Sequence, residues 1–212
     1  MSLRKSLLIV FTILLIDQII KIYIKTHFTL HEKIFVFGQE WFQIYFVENE
    51  GMAWGTEIPG QYGKIALSIF RLIIIPFIGY WLYTSVKEKA PRLLIISISL
   101  IFAGAIGNII DSAFYGMLFT ESTDKEIAQF LPGQGYTKPL YGKVVDMLYF
   151  PMWKGTFPEW LPKWGGERFT FFNAIFNIAD MAISTGVGIL LVFNKRVFPK
   201  EKTAKEEASP MV

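Results

Sequence analysis

Four stretches of this chain are apolar over roughly 20 residues each, the length a helix needs to cross the hydrocarbon core of a bilayer. They are Ser6–Thr26, Ile65–Ser85, Leu93–Ser112 and Asn173–Phe193. With 52% hydrophobic side chains concentrated in these runs, the 212-residue chain reads as a membrane protein rather than a soluble domain. Arg4 and Lys5 precede the first run much as they would in a secretory leader. The run is longer than a leader's apolar region and no small-residue cleavage site follows, so it reads as a permanent span.

Lysine and arginine set the orientation. Arg4 and Lys5 flank the first span, Lys87, Lys89 and Arg92 fill the tight turn after the second, and Lys195, Arg196 and Lys200 follow the fourth. All three groups fall on one side of a four-span topology, which makes that side, with both termini, cytoplasmic. The loops 28–64 and 113–172 then face outward, and the charged tail, 200–212, reads as disordered. The expected fold class is an all-α membrane protein, a single membrane domain over 1–212. It is a four-transmembrane-helix bundle with a small extracytoplasmic cap of strands and loops.

This topology brings polar groups to one depth. Asp17 and Lys21 occupy the outer half of the first span, Asp111 ends the third, and Asp180 lies near the outer start of the fourth. Ionisable groups within a membrane are costly and face a bundle interior or a wet cavity. In "DQIIK", Asp17 and Lys21 stand one helical turn apart, which suits either a self-neutralising pair or a functional one. "GAIGNIIDS" sets Gly104, Asn108 and Asp111 along one face, with Gly107 beside them. Small residues there let helices approach closely, which explains the glycines better than it explains Asp111.

The outer loops carry further candidates. "NEGMAWG", from Asn49 to Gly55, reads either as an ordinary hairpin or as a glycine-permitted cradle for an extended peptide. The preceding "EWFQIYFVEN" alternates as a short strand. "GKVVDMLYF" places Asp146 after a short apolar segment, strand-like or re-entrant. "FNIAD" places Asn177 and Asp180 on one face of the fourth span, where an unpaired carboxylate would be left in hydrocarbon. Trp153, Trp160 and Trp164 suit either a segment at the headgroup level or a packed cap. Residues 120–141 look like a flexible excursion punctuated by glycine and proline. Arg71 sits inside the second span without a periodic reason and could face the polar cluster.

Several classes of chemistry drop out. There is no cysteine for a disulfide or thiolate site. His27 and His31 have no evident third ligand and read as loop residues, so neither metal nor cofactor is expected. No nucleophile elbow, zinc motif, phosphate loop or nucleic-acid-binding basic run is present. The chemically capable groups are Asp17, Asp111, Asp146 and Asp180. Two carboxyls close together at low dielectric share a proton, giving a base and an acid at neutral pH. Such a pair can activate water against an amide, and spacing alone leaves open which two aspartates form it.

Taken together and in this order, "DQIIK", "NEGMAW", "GAIGNIID", "VVD" and "FNIAD" resemble the motifs of bacterial lipoprotein signal peptidase, the signal peptidase II family. The resemblance runs from the first span to the fourth. It implies an aspartyl endopeptidase of the inner membrane with its site facing the periplasm. Such an enzyme removes signal peptides from diacylated prolipoproteins, cutting before the lipid-modified cysteine, and is inhibited by globomycin. Carried over residue by residue, the catalytic pair falls on Asp146 and Asp180. The supporting positions fall on Asp17, Lys21, Asn49, Gly51, Asn108, Asp111 and Asn177. The implied partners are the prolipoprotein substrate and membrane lipids, the protein acting as a monomer. Two departures stand out. Ser112 replaces the arginine that usually follows the "GNxxD" aspartate, which makes Arg71 a candidate partner for Asp111. The intervals around Asp146 are also longer than the family's. Outside this resemblance stand a proton-coupled transporter, which would need titratable groups continuing to the cytoplasmic side, and a non-catalytic lipoprotein-binding factor.

Overall fold

The computed structural model describes residues 1–50 and 62–199. Helices dominate: α1 (Leu3–His27), α2 (Tyr62–Lys87), α3 (Arg92–Ile110), α5 (Ile178–Val192) and the short α6 (Asn194–Val197). Among the described residues, three helical stretches are long and apolar enough to cross a membrane: Leu3–His27, Gly63–Lys87 and Arg92–Leu118. Ile178–Val192 is a shorter apolar helix. The third stretch continues past α3 through one wider turn, Asp111–Tyr115, into α4 (Gly116–Leu118). Insertions of this kind in a helix often mark functional positions.

The strands expected beside the helices are present, and they form enough regular sheet that the label all-α is too narrow. Four strands form a sheet in the order β1 (Lys33–Phe35), β2 (Gln43–Asn49), β3 (Val144–Tyr149) and β6 (Ile175–Phe176), all neighbours antiparallel. A separate hairpin pairs β4 (Trp153–Thr156) with β5 (Arg168–Phe171). Alternation in the "QIYFVEN" run had already marked β2. The hairpin carries Trp153, with Trp160 and Trp164 in its connection, all exposed.

α3 is the central helix and packs on α5, α1 and α2. Glycine makes the α3–α5 contact possible. A Cβ on Gly104 would lie 2.2 Å from the Ala179 carbonyl oxygen, and one on Gly107 would lie 2.8 Å from Asp17 Oδ2. The small-residue face read from the sequence is therefore a backbone-to-backbone contact.

Two apolar clusters bracket the polar residues. One joins Val10, Leu82, Leu94, Ile95, Ile98, Ala103 and Val197 between the helices. The other joins Ile24, Phe28, Phe46, Tyr115, Phe119, Val145 and Met147 where the sheet meets α1 and the end of α3. Along α1 and α3, Asp17, Lys21, Asn108 and Asp111 fall between these clusters. Around them the helices present large apolar side chains outward, among them Leu8, Phe11, Phe70, Ile73, Phe77 and Leu191, as lipid-facing surfaces do.

The stretch expected to be a flexible excursion is built in. Thr120 N–H donates to the Gln129 carbonyl, Tyr136 N–H to that of Phe119, and Gly142 N–H to that of Ser112, while Ser68 Oγ donates to the Leu140 carbonyl. A Cβ on Gly142 would come within 2.2 Å of the Asp111 carbonyl oxygen. Close backbone approach and a buried Phe119 and Ala128 tie this segment to the end of α3, although it lacks regular elements.

Candidate active site

The fourth apolar run does not begin as a helix. Residues 175–176 belong to β6, and α5 starts at Ile178 with Asn177 as its N-cap. The side chain of Asn177 accepts from the Asp180 N–H at 2.9 Å, and the Asn177 N–H faces Asp180 Oδ2 at 3.4 Å. This reciprocal capping box satisfies backbone donors that the first turn of any helix leaves free. The amide and carboxylate of "FNIAD" therefore start a helix rather than interrupt one. Asp180 is half-buried in the first turn, where the helix dipole is positive.

Asp146 lies within β3, with its side chain 1% exposed, and is neither at a strand end nor solvated. Its Oδ1 accepts from Asn177 Nδ2 at 2.6 Å, and its Oδ2 accepts from the side-chain amide of Asn49 at the end of β2. Burial first, and then the charge of Asp180, push the Asp146 carboxyl up to about 8, against the opposing pull of Lys21 and the Asn177 hydrogen bond. The two carboxyls are linked by amides. Asn108 Nδ2 donates to Asp180 Oδ1 at 2.7 Å, and Asn108 Oδ1 accepts from Asn177 Nδ2 at 3.1 Å. Residues from β2, β3, α3 and α5 thus converge on one point.

Beneath lies a charged layer. Lys21 Nζ is 3.0 Å from Asp17 Oδ2, 2.8 Å from Asp111 Oδ2 and 3.0 Å from Asn108 Oδ1, and the Lys21, Asp17 and Asp111 side chains are essentially buried. Asp17 Oδ1 accepts from the Ala179 N–H at 2.9 Å, which ties α1 to the first turn of α5. Asp111 Oδ2 accepts from the Val145 N–H at 3.3 Å, and Asn177 Nδ2 reaches the Val145 carbonyl at 3.3 Å. These two side chains take up ladder groups of β3 where β6 no longer runs alongside it.

Asp111 therefore has its cation in Lys21, not in Arg71. Arg71 does face the cluster, and among the described residues the charge of Asp180 acts on it first, followed by those of Asp111 and Asp146. Ser112 is buried, its Oγ turned back to the Asn108 carbonyl at 3.3 Å. Gly51 and the rest of "GMAWG" lie outside the described residues. Every other site residue expected from the sequence is in this constellation.

Sequence reasoning passed over Gln18 inside a motif that it quoted. Gln18 Nε2 donates to Asp111 Oδ1 at 3.0 Å and to Asp17 Oδ2 at 3.1 Å, while its Oε1 accepts from Tyr115 at 3.1 Å. It also passed over Lys25, although the i, i+4, i+8 spacing of Asp17, Lys21 and Lys25 puts all three on one helix face.

The model of the family described as signal peptidase (SPase) II matches residues 9–195. The chain belongs to the signal peptidase II family. Relatives agree with this membership. The lipoprotein signal peptidase of Porphyromonas gingivalis is 49% identical over 182 residues, covering 85% of this chain and 78% of the relative. That of Amoebophilus asiaticus is 34% identical over 200 residues, covering 92% and 78%. A solved structure, described as a bacterial membrane enzyme studied by the in meso method at 1.9 Å, superposes with a TM-score of 0.59. It is 24% identical and covers 95% of this chain and 96% of its own, a likeness of fold alone. The family member described here is accordingly a membrane enzyme of apolar helices with a small sheet.

Proposed function

We propose that Asp146 and Asp180 are the catalytic pair with which this lipoprotein signal peptidase, an aspartic endopeptidase, removes signal peptides from prolipoproteins. The observation that carries this assignment is the amide-linked meeting of a buried Asp146 with an Asp180 at a helix N-terminus. Asp180 is the base. It accepts a proton from the attacking water while its Oδ1 stays on the Asn108 amide. Asp146, with its proton held by burial, gives that proton to the scissile carbonyl oxygen as the tetrahedral carbon forms. The proton then held by Asp180 passes to the leaving amine as the C–N bond breaks, and one hydroxyl of the tetrahedral carbon returns its proton to Asp146 as the carbonyl reforms. Asn49, Asn108 and Asn177 hold the carboxyls. The Lys21 layer with Asp17, Asp111 and Gln18 holds α1, α3, β3 and α5 in mutual register. Gly51 belongs with the supporting positions.

The substrate is a diacylglyceryl-modified prolipoprotein, cut before the lipidated cysteine. Its acyl chains lie against the apolar outer faces of the helices and lend binding energy remote from the reacting bond. The enzyme is a single membrane domain that acts as a monomer in the bacterial inner membrane and is open to globomycin-type inhibitors. α5 and α6 together complete a fourth span. Arg4, Lys5, Lys87, Lys89, Arg92, Lys195 and Arg196 gather at the ends of helices remote from Asp146, which supports cytoplasmic termini and a periplasmic site. Proton-coupled transport would need titratable groups running on towards those ends, where the buried polar side chains among the described residues are Ser6, Ser85, Ser97 and Ser99.

The test is cleavage of a diacylated precursor peptide by purified protein. Asp146→Asn and Asp180→Asn each leave a folded protein without turnover. Near-normal turnover by either variant would overturn the pair.

A further inference from the structure

Lys25 continues the ladder of Asp17 and Lys21 one turn along α1 but joins a different cluster. Its side chain is fully buried and pairs with Glu48, whose side chain is 2% exposed. Lys25 Nζ also donates to Ser122 Oγ at 2.8 Å, and Ser122 Oγ donates to Glu48 Oε1 at 3.0 Å. The Phe119 and Tyr136 rings flank the ammonium at 5.4 and 5.2 Å. The other oxygen, Glu48 Oε2, is buried without a hydrogen bond, and Lys143 Nζ stands 4.0 Å away.

Desolvation makes a buried ion pair a poor source of stability, so the pair needs another reason. Strand geometry supplies one. In the β2–β3 ladder, Val47 faces Asp146, Glu48 faces Val145, and Asn49 faces Val144. Alternation therefore sends Asn49 to the face of Asp146, and Glu48 to the opposite face with Phe46, Val145 and Met147. The register already shifts once, between Ile44 and Val47, so the upstream pairing does not by itself fix the last residues. A further slip of one residue would turn Asn49 away from Asp146 and bring the Glu48 carboxylate to the aspartates. An apolar pair would pack either way, whereas an ion pair completed by Ser122 has one solution.

We propose that Glu48, held by Lys25 and Ser122, is a positioning residue that locks the register of the end of β2 and so keeps the Asn49 amide on Asp146. This rests on the assignment of Asp146 as catalytic. An amide donor at Asp146 Oδ2 favours the ionised form of that carboxyl, so losing the Asn49 bond favours the protonated acid. Among the described residues, the other charges facing Asp146 come from Asp180 on α5, Lys21 on α1, Asp111 after α3 and Arg71 on α2, and none of them is altered by the change tested.

The test replaces both partners at once, Lys25→Met with Glu48→Leu, so that no buried charge is left alone, and follows cleavage of a diacylated precursor peptide. Thermal unfolding stays near that of the unmodified enzyme, kcat falls on the order of tenfold to a hundredfold with KM little changed, and the alkaline limb of the pH–rate profile moves upward. Asn49→Ala alone gives the same shift and adds nothing in the doubly substituted background. An unmoved profile, or an Asn49→Ala effect that is fully additive, would overturn the proposal. So would a kcat loss accounted for by a smaller folded fraction. Asp146→Asn serves as the control, since activity in that variant would instead sink the catalytic assignment.

Discussion

Replacing Asp146 by asparagine should stabilise the enzyme while silencing it, by an amount that depends on pH. Burial and the charge of Asp180 lift the carboxyl from 3.8 to about 8. Between those two values the folded protein holds a proton that the unfolded chain has released. Stability therefore falls as pH rises across that window and levels off above it. Each unit is worth about 1.4 kcal/mol, so the burden is close to nothing at pH 4, on the order of 4 kcal/mol at pH 7, and on the order of 6 kcal/mol above pH 8. Asparagine has no such burden. Its carbonyl can keep the hydrogen bond from Asn177, while its amide meets the Asn49 amide across the other position. That mismatch offsets the gain by about 1 kcal/mol. Unfolding of both proteins in mixed micelles at pH 5, 6, 7, 8 and 9 should show a stability gap that widens up to pH 8 and then stops. A gap that is constant with pH, or one that narrows, would refute the reasoning.

Other outcomes follow from the same contacts. The pH–rate profile of the unmodified enzyme should have an alkaline limb near pH 8, because the acid form of Asp146 is consumed there; a limb lying two units away would count against Asp146 as the acid. Lys21→Met leaves Asp17 and Asp111 buried with their common cation gone. It should cost about 3–5 kcal/mol, part of which Asp111→Asn restores, as read from unfolding midpoints. Gly104→Leu must push α5 from α3 at the Ala179 carbonyl. It should lower stability by about 1–3 kcal/mol and cut turnover, since Asn108 would lose its hold on Asp180. Gly188→Ala, with nothing within 4 Å of the added carbon, should leave cleavage rates unchanged.

The spans along α1, α2 and α3 were legible because hydropathy over 20 residues is a local property, and the basic clusters at their ends are equally local. The β2 strand was legible from alternation. The start of the fourth span was not legible, because Ala174–Phe176 is as apolar as the helix that follows. Only the capping geometry of Asn177 shows where β6 ends and α5 begins. Proline and glycine made residues 120–141 look loose, although the segment is ordered by partners in α2 and in the stretch that continues past α3, which no local pattern announces. Lys21, not Arg71, pairs with Asp111 because α1 and α3 approach at Gly107, a distance that composition does not encode.

Sequence by itself determined that apolar helices would carry acids, amides and a lysine to one end, because motif order and hydropathy are written along the chain. Tertiary structure alone decided which of them touch. Asn177 stands between Asp146 and Asp180, and Glu48 turns from the site while Asn49 turns toward it. Those outcomes depend on strand register and on how closely glycine lets two backbones approach, and both are relations between distant segments.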